Sequence, residues 1–213
     1  MNLKNKRILV TAGSTWVPID SVRVISNTAT GETGILLAEK LVSLGAKVTL
    51  LLGPVVLATC RLNNKIILIR FRYFDELNTL LKKELNFREY DIAIHTAAVS
   101  DYKPKYIQKG KISSSLKELN IKFIPTTKII DIFKKMQPSI FLVGFKFKPE
   151  ASRLRLIKDS QRLMYNSQAD FVVANTLKTG HYIAYLVTKN GESAPILTKK
   201  NTVANLIKAM LKR

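Results

Sequence analysis

This 213-residue sequence is poor in the residues that build covalent staples and metal sites. It has one cysteine, Cys60, and two histidines, His95 and His181. An internal disulfide is therefore excluded, and a Cys/His zinc site effectively so. Cys60 has no His or Asp near it in sequence to activate it and reads as inert. No apolar run approaches the roughly 18 residues of a membrane span. The polar stretch Met1–Arg7 leads straight into a strand pattern and carries no signal-peptide signature. Acidic residues are also scarce, 15 against 35 Lys+Arg, for a net charge of +20. Yet 46% of residues are hydrophobic, which argues against disorder and for one well-cored, soluble, cytoplasmic domain.

Such an excess of positive charge raises a nucleic-acid reading, so its distribution matters. Residues 1–70, 71–145 and 146–213 carry net charges of +6, +5 and +9. The excess is spread along the chain, without a basic tail or an aromatic RNA-binding signature. A small anionic ligand fits this pattern better than nucleic acid, which stays as an alternative.

Strand and helix patterns alternate. Arg7–Ala12, Lys47–Leu52, Lys65–Arg70, Tyr90–Ala97, Ile140–Phe147 and Asp170–Ala174 are short apolar runs, expected as buried parallel strands. Thr33–Leu44, Phe74–Leu85, Lys128–Met136, Ser152–Tyr165 and Lys200–Lys212 show helical periodicity. The expected fold is α/β: a Rossmann-like, mostly parallel sheet with helices on both faces. A β-ribbon over about 182–197, with Asn190-Gly191 as its turn, forms a C-terminal dimerisation appendage. The weakly patterned run between Ala98 and Thr127, with a short strand at Ile121–Ile124, is long enough to suggest a functional loop.

Ligands of open parallel sheets sit beyond the carboxyl ends of the strands, and three such regions here are polar. Thr11-Ala12-Gly13-Ser14-Thr15 offers a glycine for close backbone approach and hydroxyls for phosphate oxygens. A plain glycine turn remains the alternative. Ser26 to Gly34 opens the first helix with hydroxyls, Asn27 and two glycines, more than a cap needs, at an end suited to an anion. His95 to Tyr102 ends in Asp101 and runs into a loop with Lys103, Lys105, Lys109 and Lys111. The first region is not G-x-G-x-x-G, and Leu50-Leu51-Leu52-Gly53-Pro54 supplies no acid for an NAD ribose. That weighs against a Rossmann-like NAD(P)-dependent oxidoreductase, the other alternative.

Taken together, these segments resemble the phosphopantothenate–cysteine ligase (phosphopantothenoylcysteine synthetase) family. Val10 to Thr15 is similar to TAGGT or TSGGT, Pro18 to Asn27 to PID-x-VR-x-I-[ST]-N, and Thr30-Gly31 with Gly34 to SSG-x-x-G. Ala97 to Tyr102 is similar to AAV-[AS]-DY, and Lys111 to Ser114 to the KISS form of a flexible motif. Thr127 to Ile130 resembles TPKII, Val143 to Lys146 VGFK, and Asp170 to Asn175 D-[LF]-[IV]-VAN. Each motif is weak alone; eight in order, over about residues 7–188, are specific.

The resemblance implies a ligase of coenzyme A biosynthesis. CTP in most bacterial members, or ATP in eukaryotic ones, activates 4′-phosphopantothenate as an acyl nucleotidylate; L-cysteine then attacks. It implies Asn27 and Lys111 as catalytic residues. Nucleotide binding falls to Gly13, Ser14, Thr15, Ala97, Asp101, Lys111, Thr127, Lys128, Ile129, Ile130, Phe145 and Arg162, and phosphopantothenate to Asn27, Thr30, Gly31 and Ala98. Mg²⁺ is expected mainly on the nucleotide phosphates, with no protein ligand assigned and no flavin. Further implications are a homodimer, a flap over about residues 103–115, a stand-alone form spanning 1–213, and a separate phosphopantothenoylcysteine decarboxylase. Departures from the family pattern are Ser14 for a glycine, Glu32 where a Lys is common, Asn166 for a lysine, and Lys148 in a segment lacking its usual acid.

Overall fold

The computed structural model describes residues 2–55 and 62–212, so Cys60 lies outside the described residues. Twelve strands and five helices are present among them. The strands are β1 (Arg7–Ala12), β2 (Trp16–Pro18), β3 (Val24–Ser26), β4 (Lys47–Leu52), β5 (Ile67–Arg70) and β6 (Ile92–His95). They continue as β7 (Tyr102–Pro104), β8 (Phe123–Pro125), β9 (Phe141–Phe147), β10 (Phe171–Lys178), β11 (His181–Thr188) and β12 (Gly191–Glu192). The helices are α1 (Glu32–Ser43), α2 (Phe74–Phe87), α3 (Ile130–Met136), α4 (Arg153–Ser167) and α5 (Lys199–Leu211).

Eight strands form one sheet in the order β12-β11-β10-β9-β6-β1-β4-β5. From β5 to β10 every neighbouring pair is parallel; β11 and β12 add on antiparallel. The chain steps outward from β1 through β4 to β5, then returns to place β6 on the other side of β1. That reversal opens a crevice beyond the carboxyl ends of β1 and β6, where ligands of such sheets bind.

Alternation along β1 explains the two cores. Ile8, Val10 and Ala12 pack into a cluster with Leu37 and Leu41 of α1 and Leu206 of α5. Leu9 faces the opposite cluster, with Leu77 and Leu81 of α2, Phe133 of α3 and Leu156 of α4. Helices thus cover both faces, as their apolar stripes require.

The expected ribbon is the edge of the main sheet. β11 pairs with β10 from Val172↔Val187 to Lys178↔His181, and Ile196 bridges to Ala184. Two short hairpins lie outside the sequence expectations. β2 pairs with β3, and β7 with β8, which overlaps the short strand expected at Ile121–Ile124 but begins and ends later. Three-residue strands carry too few positions for a period-2 pattern to register.

Candidate functional site

Backbone geometry draws two of the polar segments together at the crevice. Gly13 has φ +81°, and a Cβ there would lie 2.9 Å from the Gly53 carbonyl oxygen. Gly31, the N-cap of α1 at φ +74°, approaches Gly13 so closely that its Cβ would sit 3.4 Å from the Gly13 backbone. Gly34, one turn into α1, presses on the end of β1: a Cβ there would come within 2.4 Å of the Ala12 side chain. The three glycines therefore let the β1–β2 loop and the start of α1 share one place. The N-cap residue Gly31 offers no side chain to that helix end, and Thr30 Oγ1 accepts only the Glu32 N–H, at 3.4 Å. The first-turn N–H groups and dipole of α1 consequently favour an anion.

Hydrogen bonds bring in the third segment. The Ala98 N–H donates to the Gly13 carbonyl at 2.8 Å, and the Thr15 N–H to the Ala98 carbonyl at 3.3 Å. That same Ala98 carbonyl accepts from Asn27 Nδ2 at 2.9 Å. Thr15 Oγ1 accepts from the Ser100 N–H at 3.0 Å, and Thr126 Oγ1 donates to the Ser100 carbonyl at 2.7 Å. Below this layer, Thr11 Oγ1 and His95 Nδ1 lie 2.7 Å apart. Burial pushes the His95 imidazole down to about 4, so it is neutral at pH 7 and acts as a packed polar side chain.

The expected site residues fall into four groups. Gly13, Ser14, Thr15, Asn27, Thr30, Gly31, Ala97 and Ala98 are at or beside the crevice. Asp101 is exposed and paired to Lys128 at 2.5 Å, with Thr127 exposed beside them. Ile129 and Ile130 are buried in the α2–α4 core, whereas Phe145 is half-buried against the α1–α5 core. Arg162 and Lys111 lie elsewhere. Arg162, on α4, reaches toward Asp159 at 3.6 Å. Lys111 is exposed between two residues tied to the β2–β3 turn.

The departures have physical accounts. Ser14 needs no left-handed backbone, and its hydroxyl accepts from Ser26 Oγ at 3.1 Å and donates to the Pro54 carbonyl at 3.4 Å. Glu32 does not project an unbalanced negative charge at the anion end of α1, because Lys199 of α5 is paired with it. Lys148 donates to Asp159 at 2.6 Å. That hydrogen bond, helped by Arg155 and opposed by burial, holds the Asp159 carboxyl down to about 2. Asn166 is exposed on α4.

Residues 3–213 match the model of the DNA/pantothenate metabolism flavoprotein C-terminal domain. The chain belongs to that family. As a flavoprotein C-terminal domain family member, it is 37% identical over 177 residues to the coenzyme A biosynthesis bifunctional protein CoaBC of Thermococcus kodakarensis, covering 83% of this chain and 43% of that protein. It is 32% identical over 222 residues to a cysteine/cysteine sulfinic acid decarboxylase from an unknown prokaryotic organism, covering 98% and 59%. Among solved structures, the DNA/pantothenate metabolism flavoprotein from Streptococcus pneumoniae superposes with a TM-score of 0.86 at 27% identity, covering 97% of this chain and 99% of that one. The chain spans about half the length of the curated relatives it matches.

Two residues of this family member escaped the sequence reading. Asp20 is buried, and its own turn and the loop at Ile112 converge on its carboxylate. The signal was its place two residues after Pro18, in a turn. Asn175, which ends the Asp170 to Asn175 match, has its side-chain Oδ1 buried without a hydrogen-bond partner. Nothing in its sequence context marked that atom. Among the described residues no helix is long and apolar enough to cross a membrane.

Proposed function

We propose that the chain is a phosphopantothenate–cysteine ligase acting in coenzyme A biosynthesis, with CTP the favoured nucleotide over ATP. The observation that carries this reading is the meeting of Gly13–Thr15, Gly31–Gly34 and the Asn27–Ala98 contact at one crevice. A chain 37% identical to a protein named for coenzyme A biosynthesis makes phosphopantothenate the natural acyl partner there.

The chemistry balances in two displacements. A carboxylate oxygen of 4′-phosphopantothenate attacks the α-phosphorus of the nucleotide, and pyrophosphate leaves. The cysteine amine then attacks the acyl carbon; a C–N bond forms, the bond to the nucleotide oxygen breaks, and the nucleoside monophosphate leaves as the amine gives up a proton. The first-turn N–H groups of α1 and the Gly13–Thr15 loop face phosphate oxygens. Thr30 and Gly31 hold phosphopantothenate at that same helix end. Asn27, fixed by its bond to Ala98, turns an amide toward the reacting acyl group. Ala97, Asp101, Thr127 and Lys128 line the nucleotide side. Ile129 and Ile130 support that wall from the core, and Phe145 borders it. Arg162 and Lys111 supply positive charge to phosphates. Mg²⁺ would neutralise phosphate charge.

A homodimer belongs to this reading. Val22, Val24, Ile25, Tyr102, Ile107 and Phe123 are all large apolar side chains left exposed on or beside the two small hairpins. A second copy would cover them. The 103–115 flap completes the proposal.

Pyrophosphate release tests it. With 4′-phosphopantothenate and cysteine present, release is expected with CTP at a higher kcat/KM than with ATP. Carbon dioxide evolved from cysteine without any nucleotide would instead favour the chemistry named for the second relative.

A further inference from the structure

Lys111 owes its place to a buried carboxylate that neither the crevice nor the expected site residues include. Asp20 is 3% exposed at the turn between β2 and β3. Its Oδ1 accepts the Val22 and Arg23 N–H groups at 2.8 and 2.7 Å. Its Oδ2 accepts Arg23 Nη1 at 2.6 Å and the Ile112 N–H at 3.0 Å, across 92 residues of chain. The loop is stitched to the same turn around that bond. Gln108 N–H donates to the Ile19 carbonyl at 3.0 Å, Ser21 N–H to the Gly110 carbonyl at 3.3 Å, and Arg23 Nη1 to the Ile112 carbonyl at 3.2 Å. The residues flanking Lys111 on both sides are thus held, while its own side chain stays exposed.

Burial opposes ionisation of Asp20. The hydrogen bonds from Ile112, Val22 and Arg23 more than offset this and hold its carboxyl well below the usual carboxylate range. It is therefore charged at working pH, and its bonds are of the charge-assisted kind. The other groups near the turn are the Arg23 guanidinium and the exposed Lys109 and Lys111. β3 runs from this turn directly to Ser26 and Asn27. One short hairpin therefore carries Asn27 at its root and the Lys111 segment at its tip.

We propose that Asp20 is a positioning residue that latches the 108–112 segment to the β2–β3 turn and so sets where Lys111 is presented. This rests on the ligase reading for the role of Lys111, but the latch itself is a statement about backbone contacts. A loosened segment would leave the first displacement largely running and fail to shield the acyl nucleotidylate afterwards. Water would then compete with cysteine.

Two readouts test this on the intact protein: amide exchange over residues 108–114, and the ratio of pyrophosphate released to amide product formed. Asp20→Asn removes the charge and offers an amide where N–H donors point. Exchange over 108–114 is expected to rise about 10- to 100-fold, the scale of a lost charge-assisted hydrogen bond. The pyrophosphate-to-product ratio, near one in the wild type, is expected to rise several-fold, roughly in step with the opening of the segment. Because Asp20 also holds its own turn, Ile112→Pro serves as the second variant: it leaves Asp20 and the turn in place and deletes the donor on the loop side, while also restricting the backbone at 111 and 112. It should reproduce the raised ratio, and the double variant should add nothing further. A merely destabilised protein would lose both products in parallel, leaving the ratio at one. Unchanged exchange in both variants overturns the latch. Raised exchange with an unchanged ratio overturns its positioning role. If the wild type releases no pyrophosphate, the ligase reading fails, while the exchange arm still decides the latch.

Discussion

Replacing Asn27 by Asp is expected to cut amide formation by about 100-fold or more, the usual loss when one preorganised donor is removed from a developing anion. The change is isosteric, so packing stays as it is. Asn27 Nδ2 donates to the Ala98 carbonyl at 2.9 Å; a carboxylate oxygen in its place would face that carbonyl without a proton. It would also set a negative charge beside phosphate and carboxylate substrates. Asn27 is exposed, so thermal stability should change little. Steady-state rates and a melting curve check both halves. Full turnover in the variant would remove Asn27 from the reaction.

The second large effect is structural. Gly34→Val places a branched side chain where even a Cβ would come 2.4 Å from the Ala12 side chain and 2.6 Å from Thr96 Oγ1. Neither neighbour is a flexible chain end that can swing away. Ala12 is fully buried at the end of β1, and Thr96 Oγ1 donates to the Thr11 carbonyl at 2.8 Å. Helix α1 would have to lift off the sheet. Overpacking of this kind costs about 2–3 kcal/mol, equivalent to a melting point lower by roughly 5–10 °C in a chain this long. Moving α1 also moves its N-terminus, so nucleotide affinity should fall along with stability. A melting curve and a nucleotide titration report the two effects. Gly34→Ala should give the same effects in weaker form.

These two residues show how much the sequence discloses. The strand and helix alternation through the first hundred residues was legible because each element is long enough to show its period. β1 and β4 begin and end where their apolar runs do. Gly13 was legible as a place of close backbone approach, and Gly31 and Gly34 as part of an anion-suited helix start; that the three meet was not legible. The partners of charged residues were not legible. Glu32 stands where a Lys is common, and its partner Lys199 lies 167 residues later in the chain. Likewise Asp20 read as a motif letter, and only the fold shows it meeting Ile112. Long-range pairing of this kind depends on topology, which local periodicity does not encode.

The +20 charge also becomes more specific. Eleven ion pairs tie cations to carboxylates among the described residues, and Asp159 alone gathers Lys148, Arg155 and Arg162. Arg162 therefore stands in a basic cluster built around one buried acid. The rest of the excess lies dispersed over the surface.

The most direct test of the central claim follows an oxygen atom. 4′-Phosphopantothenate labelled with ¹⁸O in its carboxylate is incubated with the protein, CTP, Mg²⁺ and L-cysteine, and the released nucleotide is weighed by mass spectrometry. An acyl nucleotidylate requires one labelled oxygen to leave with the nucleoside monophosphate, in step with amide product. Label appearing in inorganic phosphate, or unlabelled monophosphate alongside product, would contradict the account.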